Sequence, residues 1–328
     1  AGGLFGIGIP GLVENNDTII GLSAFIGAHE LGHLVGLRHG DSNGPIGSGI
    51  SPGQGGFFPG YPGPAGATEN SNNIISSPAS VGSDIAIAAT EEFSFSTRSS
   101  MKLSFNEQGV AQFEIDDAGD TIELAQAVEM TELAVPNLSL PDDALFGETF
   151  EVEAAVVIGE ISTAGDFDIY SFEAEAGDLL NIELQSLVFS GDGRFDDVFD
   201  TELSVFDEFG NFVDYFGADA FNDDEFETLD SIIVDLLLEE AGTYFIQVSA
   251  TTFFGDPTDT GGYELYFTLF DLAEEDPDPD PDPDPDPDPD PDPDPDPDPD
   301  PTPVPAPAAL PLMGLGVALV GWLRRRRR

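Results

Sequence analysis

The period of the hydrophobic positions changes near residue 111, and the change divides the chain. Upstream, Ile19, Leu22, Ile26, His29 and His33 recur at helical spacing, which predicts one helix over residues 17–37 with Asp17 or Thr18 as its cap. Gly21, Gly27 and Gly32 interrupt it. Each weakens a helix by roughly 1 kcal/mol against Ala, so these positions call for a packing reason. Residues 40–80, rich in Gly, Pro, Ser and Asn, predict a long loop. A second helix is predicted over 83–103, capped by Ser83 or Asp84, with a break at Phe93–Thr97. Downstream the period falls to two. The runs 167–174, 179–189, 201–209, 231–238, 243–250 and 263–270 are strand-like and separated by Gly/Asp/Asn turns, which predicts an antiparallel sandwich.

The fold class expected is therefore α+β. A helix-containing segment, residues 1–105, precedes a β-sandwich, residues 106–275. An Asp-Pro repeat then forms a disordered linker within 276–303. In the extended polyproline form its 25 residues from 276 to 300 reach roughly 75 Å. Residues 304–328 close the chain with an apolar run from Ala308 to Leu323, followed by five arginines. As a helix that run is about 24 Å long, just short of a roughly 30 Å hydrocarbon core.

Charge narrows the function classes. The chain carries 64 acidic against 9 basic residues, a net −55. Residues 106–275 hold 43 acids and one base, Arg194. Residues 1–105 hold eight acids and three bases. No basic surface is available to neutralise phosphates, which excludes nucleic acid as a partner. The absence of Cys excludes disulfides, thiolate metal sites and cysteine nucleophiles. With 40% hydrophobic residues and 26 Phe, the chain is too apolar for wholesale disorder.

All three histidines of the protein lie within His29–His39, in the string HELGHLVGLRH. His29 and His33, four apart, share one helical face and can reach one zinc ion. Glu30 is placed to accept a proton from water activated at the metal. Gly36 permits a left-handed exit from the helix, after which His39 can return as third ligand. Three protein ligands leave a fourth position open, as catalytic zinc sites do.

This stretch resembles the HExxHxxGxxH signature of the metzincin metallopeptidases, and HELGHLVGLRHGD is most similar to the matrixin type. The resemblance implies that residues 1–105 are the helix-rich C-terminal part of a catalytic domain. It implies zinc held by His29, His33 and His39, with Glu30 as general base in peptide-bond hydrolysis. Ile75, in NNIISSPASVG, stands where metzincins carry the Met of the turn beneath the metal. Metzincins also place a substrate-pairing sheet before the zinc helix, and only 28 residues precede His29. The chain opens on Ala1 without a charged, apolar leader, so its start is read as cut by processing or truncation, and weak or no peptidase activity is expected of the chain as given.

Residues 113–270 resemble the bacterial pre-peptidase C-terminal domain, on DDAGDTIELAQAV, GDFDIYSFEAEAGDLLNIEL, TELSVFDEFGN, EEAGTYFIQVSA and GGYELYFTL. That family implies a β-sandwich with an accessory role in secreted peptidases. Acid-rich loops at 190–197 and 221–227 are candidate calcium sites, with solvated acidic turns as the alternative. The C-terminus is similar to the VPLPA-CTERM sorting signals of exosortases. The motif is Val304, Pro305, Ala306, Pro307 and Ala308, followed by the apolar run and the arginines, which orient the C-terminus to the cytoplasm. Together these features predict an exported, surface-directed zinc endopeptidase acting on protein or peptide substrates. It would meet an exosortase and the membrane before processing, and end at the cell surface, outer membrane or outside. The alternative is a catalytically inactive surface adhesion or matrix protein whose acidic sandwich does the binding.

Overall fold

A computed structural model of the chain describes residues 16–44, 46–50, 58–63, 72–77, 93–115, 118–136, 149–187, 200–225, 229–250 and 260–271. All of them fall in one compact unit, Ala1–Asp276. The linker and the predicted apolar helix after it lie outside the described residues, as does the sorting motif. Among the described residues no helix is long and apolar enough to cross a membrane.

Two helices precede the strands. Helix α1 spans Asn16–Leu34, and its buried stripe is Leu22, Phe25, His29 and Gly32. Ile19, expected on that stripe, is half exposed. Helix α2 spans Thr97–Gln108, beginning where the predicted break at Phe93–Thr97 ends and running past the predicted end at 103, while the part of the prediction over 83–92 lies outside the described residues. The reason is local: the Ser96 side chain accepts from the Ser99 backbone N–H and fixes the start, and Gly109 ends the helix.

The strands form a sandwich. The first sheet is ordered β1 (Gln112–Phe113), β4 (Thr149–Ile161), β13 (Gly261–Asp271), β6 (Asp178–Ser186) and β11 (Ser231–Leu237), with β3 (Thr131–Pro136) also paired to β4. The second is ordered β10 (Phe221–Asn222), β7 (Thr201–Phe206), β12 (Gly242–Ala250), β5 (Phe167–Ala174) and β2 (Gln126–Ala127). A small hairpin pairs β8 (Asp214–Tyr215) with β9 (Ala218–Asp219). Six predicted runs coincide with β5, β6, β7, β11, β12 and β13 within a few residues at either end. The sheets are antiparallel except at two edges, where the short strands β1 and β2 add in parallel to β4 and β5.

Between the sheets lies the main core, including Val157, Tyr170, Leu184, Leu203, Ile246, Val248, Tyr263 and Phe267. A second core lies on the outer face of the first sheet, where Met101 and Phe105 of α2 pack on Leu133, Val135, Val152, Val156, Leu179, Tyr266 and Phe270. The first sheet is thus covered on both faces. Strands buried on both sides read as continuous apolar runs rather than as alternation, which accounts for AAVVI in β4 and LYFTLF in β13. The sequence-based boundary at residue 105 falls within α2, and the described residues on its two sides pack together.

Candidate metal centre

Helix α1 ends in a turn that its sequence requires. Gly36 has φ +88°, a left-handed conformation that L side chains rarely adopt. Its N–H donates to the His33 carbonyl (3.1 Å), and the Leu37 N–H donates to the Gly32 carbonyl (3.0 Å). This is the paired bond pattern of a Schellman cap, and the Leu37 side chain packs against Gly32 as that motif prefers. The chain then enters a 3₁₀ turn, His39–Ser42, which brings His39 back beside the helix.

The three imidazoles converge. His29 Nε2 lies 3.1 Å from His33 Nε2 and 3.2 Å from His39 Nε2, and the ring centroids are 4.7–5.1 Å apart. Three nitrogens bound tetrahedrally to one zinc, at about 2.0–2.1 Å each, would lie about 3.3 Å apart. The far ring nitrogens are committed elsewhere. His29 Nδ1 donates to the Ile74 carbonyl (2.7 Å) and His33 Nδ1 to the Leu37 carbonyl (2.9 Å). A carbonyl only accepts, so both Nδ1 atoms carry the proton and both Nε2 lone pairs point inward. Lone pairs 3.1 Å apart repel unless a cation lies between them. Burial lowers the proton affinity of His33, and the neighbouring His39 and His29 lower it further, against the pull of the Leu37 carbonyl and the Glu30 charge. The donor set fits a tetrahedral zinc ion with one position left over. Among the described residues, it is the group of metal-binding side chains whose ligand atoms all lie within 4.8 Å of one another.

Glu30 is exposed, one residue after the first histidine and near enough for its charge to act on His33. Ile75 is fully buried beneath α1, its Cδ1 2.9 Å from where a Cβ on Gly32 would stand. This is the packing reason for that glycine. The turn carrying Ile75 is tied to the approach to α2, with Ile74 N–H donating to Ser94 O and Ser94 N–H to Asn72 O.

Sequence reasoning missed the groups around the third histidine. Arg38 Nη2 meets Asp230 Oδ2 at 3.0 Å, and its Nε donates to Gln185. Lys102 is buried between Glu183, to which it donates, and Asp41, 3.9 Å away. Burial alone would lower the Lys102 pKa, but the Glu183 and Asp41 charges override it and raise it. Burial, then the Glu183 charge, pushes the Asp41 carboxyl well above the usual range. Glu183 is also driven up by burial, but Lys102 outweighs that and holds it low. Arg98 pairs with Asp235 at 2.7 Å and donates to the Asn43 carbonyl. A signal for these contacts was present in the composition: residues 1–105 contain three bases, and all three reach the acid-rich strands.

Of the candidate calcium loops, 190–197 lies outside the described residues. In the other, the Asn222 side chain bonds to the Ile232 N–H and the Asp224 carbonyl, which holds the loop to β11.

Residues 166–250 match the bacterial pre-peptidase C-terminal domain. The match takes in β5 through β12, that is β5, β7, β10 and β12 of the second sheet and β6 and β11 of the first. Solved structures similar to the chain include the same domain from the collagenase of Bacillus anthracis, at 17% identity over 34% of this chain and 86% of that one, with a TM-score of 0.21. Another is PliG of Aeromonas hydrophila, a periplasmic inhibitor of g-type lysozyme, at 18% identity over 36% of this chain and 86% of that one, with a TM-score of 0.24. No curated protein matches the chain. The pre-peptidase C-terminal match leaves α1, the histidines and α2 outside it.

Proposed function

We propose that the protein is an exported zinc-dependent endopeptidase of the metzincin type, with the pre-peptidase C-terminal domain as its accessory module. One observation carries the reading: three histidine Nε2 atoms converge on one point, with Glu30 directly after the first of them. Zinc, when bound, supplies a Lewis acid that polarises a peptide carbonyl and lowers the pKa of water. His29 and His33 hold their inward lone pairs by donating Nδ1–H to Ile74 and Leu37. The Glu30 carboxylate takes the proton of the attacking water and passes it to the leaving amine. Substrates are proteins or peptides. Export is supported by the accessory domain and by the C-terminal motif Val304–Ala308, which an exosortase would cut before release from the inner membrane toward the cell surface. The acid-rich loops at 190–197 and 221–227 stay candidate calcium sites, with solvated acidic turns as the alternative.

Elemental analysis of purified protein tests the site. One zinc per chain is expected, lost in His29→Ala, His33→Ala and His39→Ala. Glu30→Ala should keep the metal and lower hydrolysis of a casein substrate by at least 100-fold, because it removes the base and spares the ligands. Metal-free wild type, or full activity in Glu30→Ala, sinks the assignment. The second reading is a surface-binding protein, to which the dense acidity of residues 106–275 lends weight.

A further inference from the structure

His29 and His33 are oriented from within the N-terminal segment, by the carbonyls of Ile74 and Leu37. His39 is different. The residues flanking it on both sides are anchored on the sandwich. Before it, Arg38 reaches Asp230 and Gln185. Asp230 is itself fixed, its Oδ1 accepting from the Ser186 N–H at 2.7 Å. After it, Gly40 lies beside Ile232 and Glu225, at ordinary packing distance. Asp41 follows, its Oδ2 accepting from the Arg38 N–H (2.7 Å), and Lys102 joins it to Glu183 of β6. At the end of the turn Arg98 holds the Asn43 carbonyl while pairing with Asp235. Asp235 reaches that position through a bulge. The register of β11 against β6 shifts between Ile233 and Leu236, and Asp235 has φ +53°. Val234 and Asp235 thereby both serve the outer face, while Leu236 returns to the core between the sheets.

We infer that Asp230 and Glu183, residues of the β-sandwich, are positioning residues for His39, so that the metal site is completed by the accessory domain. The inference rests on reading the three histidines as a metal site. The physical reason is geometric. Two ligands on one helix arrive pre-aligned, but the third sits on a four-residue turn whose flanking side chains reach the start of α2 and the first sheet. Arg38 and Asp41 clamp that turn from either side, and buried charges oriented by several bonds hold a short turn more narrowly than apolar contact would. The sandwich then does more than carry a peptidase: it sets the affinity of the peptidase's metal.

The test uses the full chain, stripped with a chelator and titrated with zinc against a chromophoric competitor. Wild type, Asp230→Asn and Glu183→Gln are compared. Tyr263→Phe serves as a control, since it removes a buried hydroxyl from between the sheets without touching the turn. Outer-sphere partners of metal ligands typically contribute about 10- to 100-fold in affinity. A loss of that size is expected in Asp230→Asn and in Glu183→Gln, and none in Tyr263→Phe. Cobalt(II) absorption should fall in the visible d–d bands as His39 leaves the ion. If Asp230→Asn fails to fold, Arg38→Gln cuts the same ion pair from the other side. Wild-type zinc affinity in the folded variants overturns the inference and leaves the three-histidine site intact. A wild type that takes up no zinc overturns the site itself, and the inference with it.

Discussion

Ile75 and Gly32 press on each other beneath the histidines, and this contact can be measured one carbon at a time. A Cβ on Gly32 would come 2.9 Å from Ile75 Cδ1, closer than any relaxed contact. Gly32→Ala is therefore expected to lower stability by about 1–3 kcal/mol through overpacking, despite alanine's better helix propensity. Ile75→Val removes the offending methyl, so Gly32→Ala/Ile75→Val should lose less than the sum of the two single changes in urea denaturation. Equal additivity would mean the helix and the turn do not touch. At this scale the sequence was informative wherever chemistry is local. The four-residue spacing of His29 and His33 and the glycine exit at Gly36 both depend on neighbours within one turn. The Arg38–Asp230 pair joins residues 192 positions apart, and no local pattern encodes it.

Elements were legible in proportion to how one-sided their burial is. The strands of the second sheet face the core on one side, and β5, with alternation in FDIYSFEA, is where the pattern placed it. Strand β4, the 13-residue partner of β1, β3 and β13, was not found, because TFEVEAAVVIGEI mixes helix-favouring Glu and Ala with an apolar run buried on both faces. The start of α2 is fixed in part by another segment: Ser96, its cap, is buried, and its Oγ donates to the Asp41 carbonyl. Ser96→Ala loses both the helix cap and that bond and should cost about 1–2 kcal/mol, read as a lower unfolding midpoint. The Arg98–Asp235 pair beneath α2 is a sharper probe. Asp235→Leu strands a buried guanidinium and is expected to cost about 3–5 kcal/mol, whereas Arg98→Met/Asp235→Leu should recover most of that loss. If the double variant is no better than the single, the charge is not the cause.

Across the whole molecule the net charge of −55 works against compactness. Raising salt from 10 to 150 mM shortens the screening length from about 30 to about 8 Å, so the unfolding temperature should rise with sodium chloride. Acid should act in the same direction over a limited window. Burial, then neighbouring carboxylates, raises the pKa of Glu153 and of Asp224, and burial outweighs the bonds that oppose it at Asp178 and Glu202. For these groups the folded state binds protons more tightly than the unfolded chain, so stability rises as the pH falls through their folded pKa values. The gain levels off near the ordinary 3.8 of Asp and 4.5 of Glu. Glu183, held low by Lys102, works against this below its ordinary value of 4.5. In a variant with all three histidines changed to Asn, so that imidazoles no longer titrate, thermal melts should be higher at pH 5 than at pH 8. A flat profile would show that these carboxylates feel no field in the folded state.

The apolar outer face of the first sheet bears on how the protein can be divided. A gene cut after Gly109 looks natural, since it separates the helices from the strands and sets free a piece resembling a familiar module. Limited proteolysis of an ordinary two-domain chain would trim to such a piece, near residues 111–272. Here the cut would bare Leu133, Val135, Val152, Tyr266 and Phe270 on one side and Met101 and Phe105 on the other. Each half would carry a sticky stripe that water rejects, and expressed alone each should collect in inclusion bodies, while co-expression of the two should bring both back into the soluble fraction.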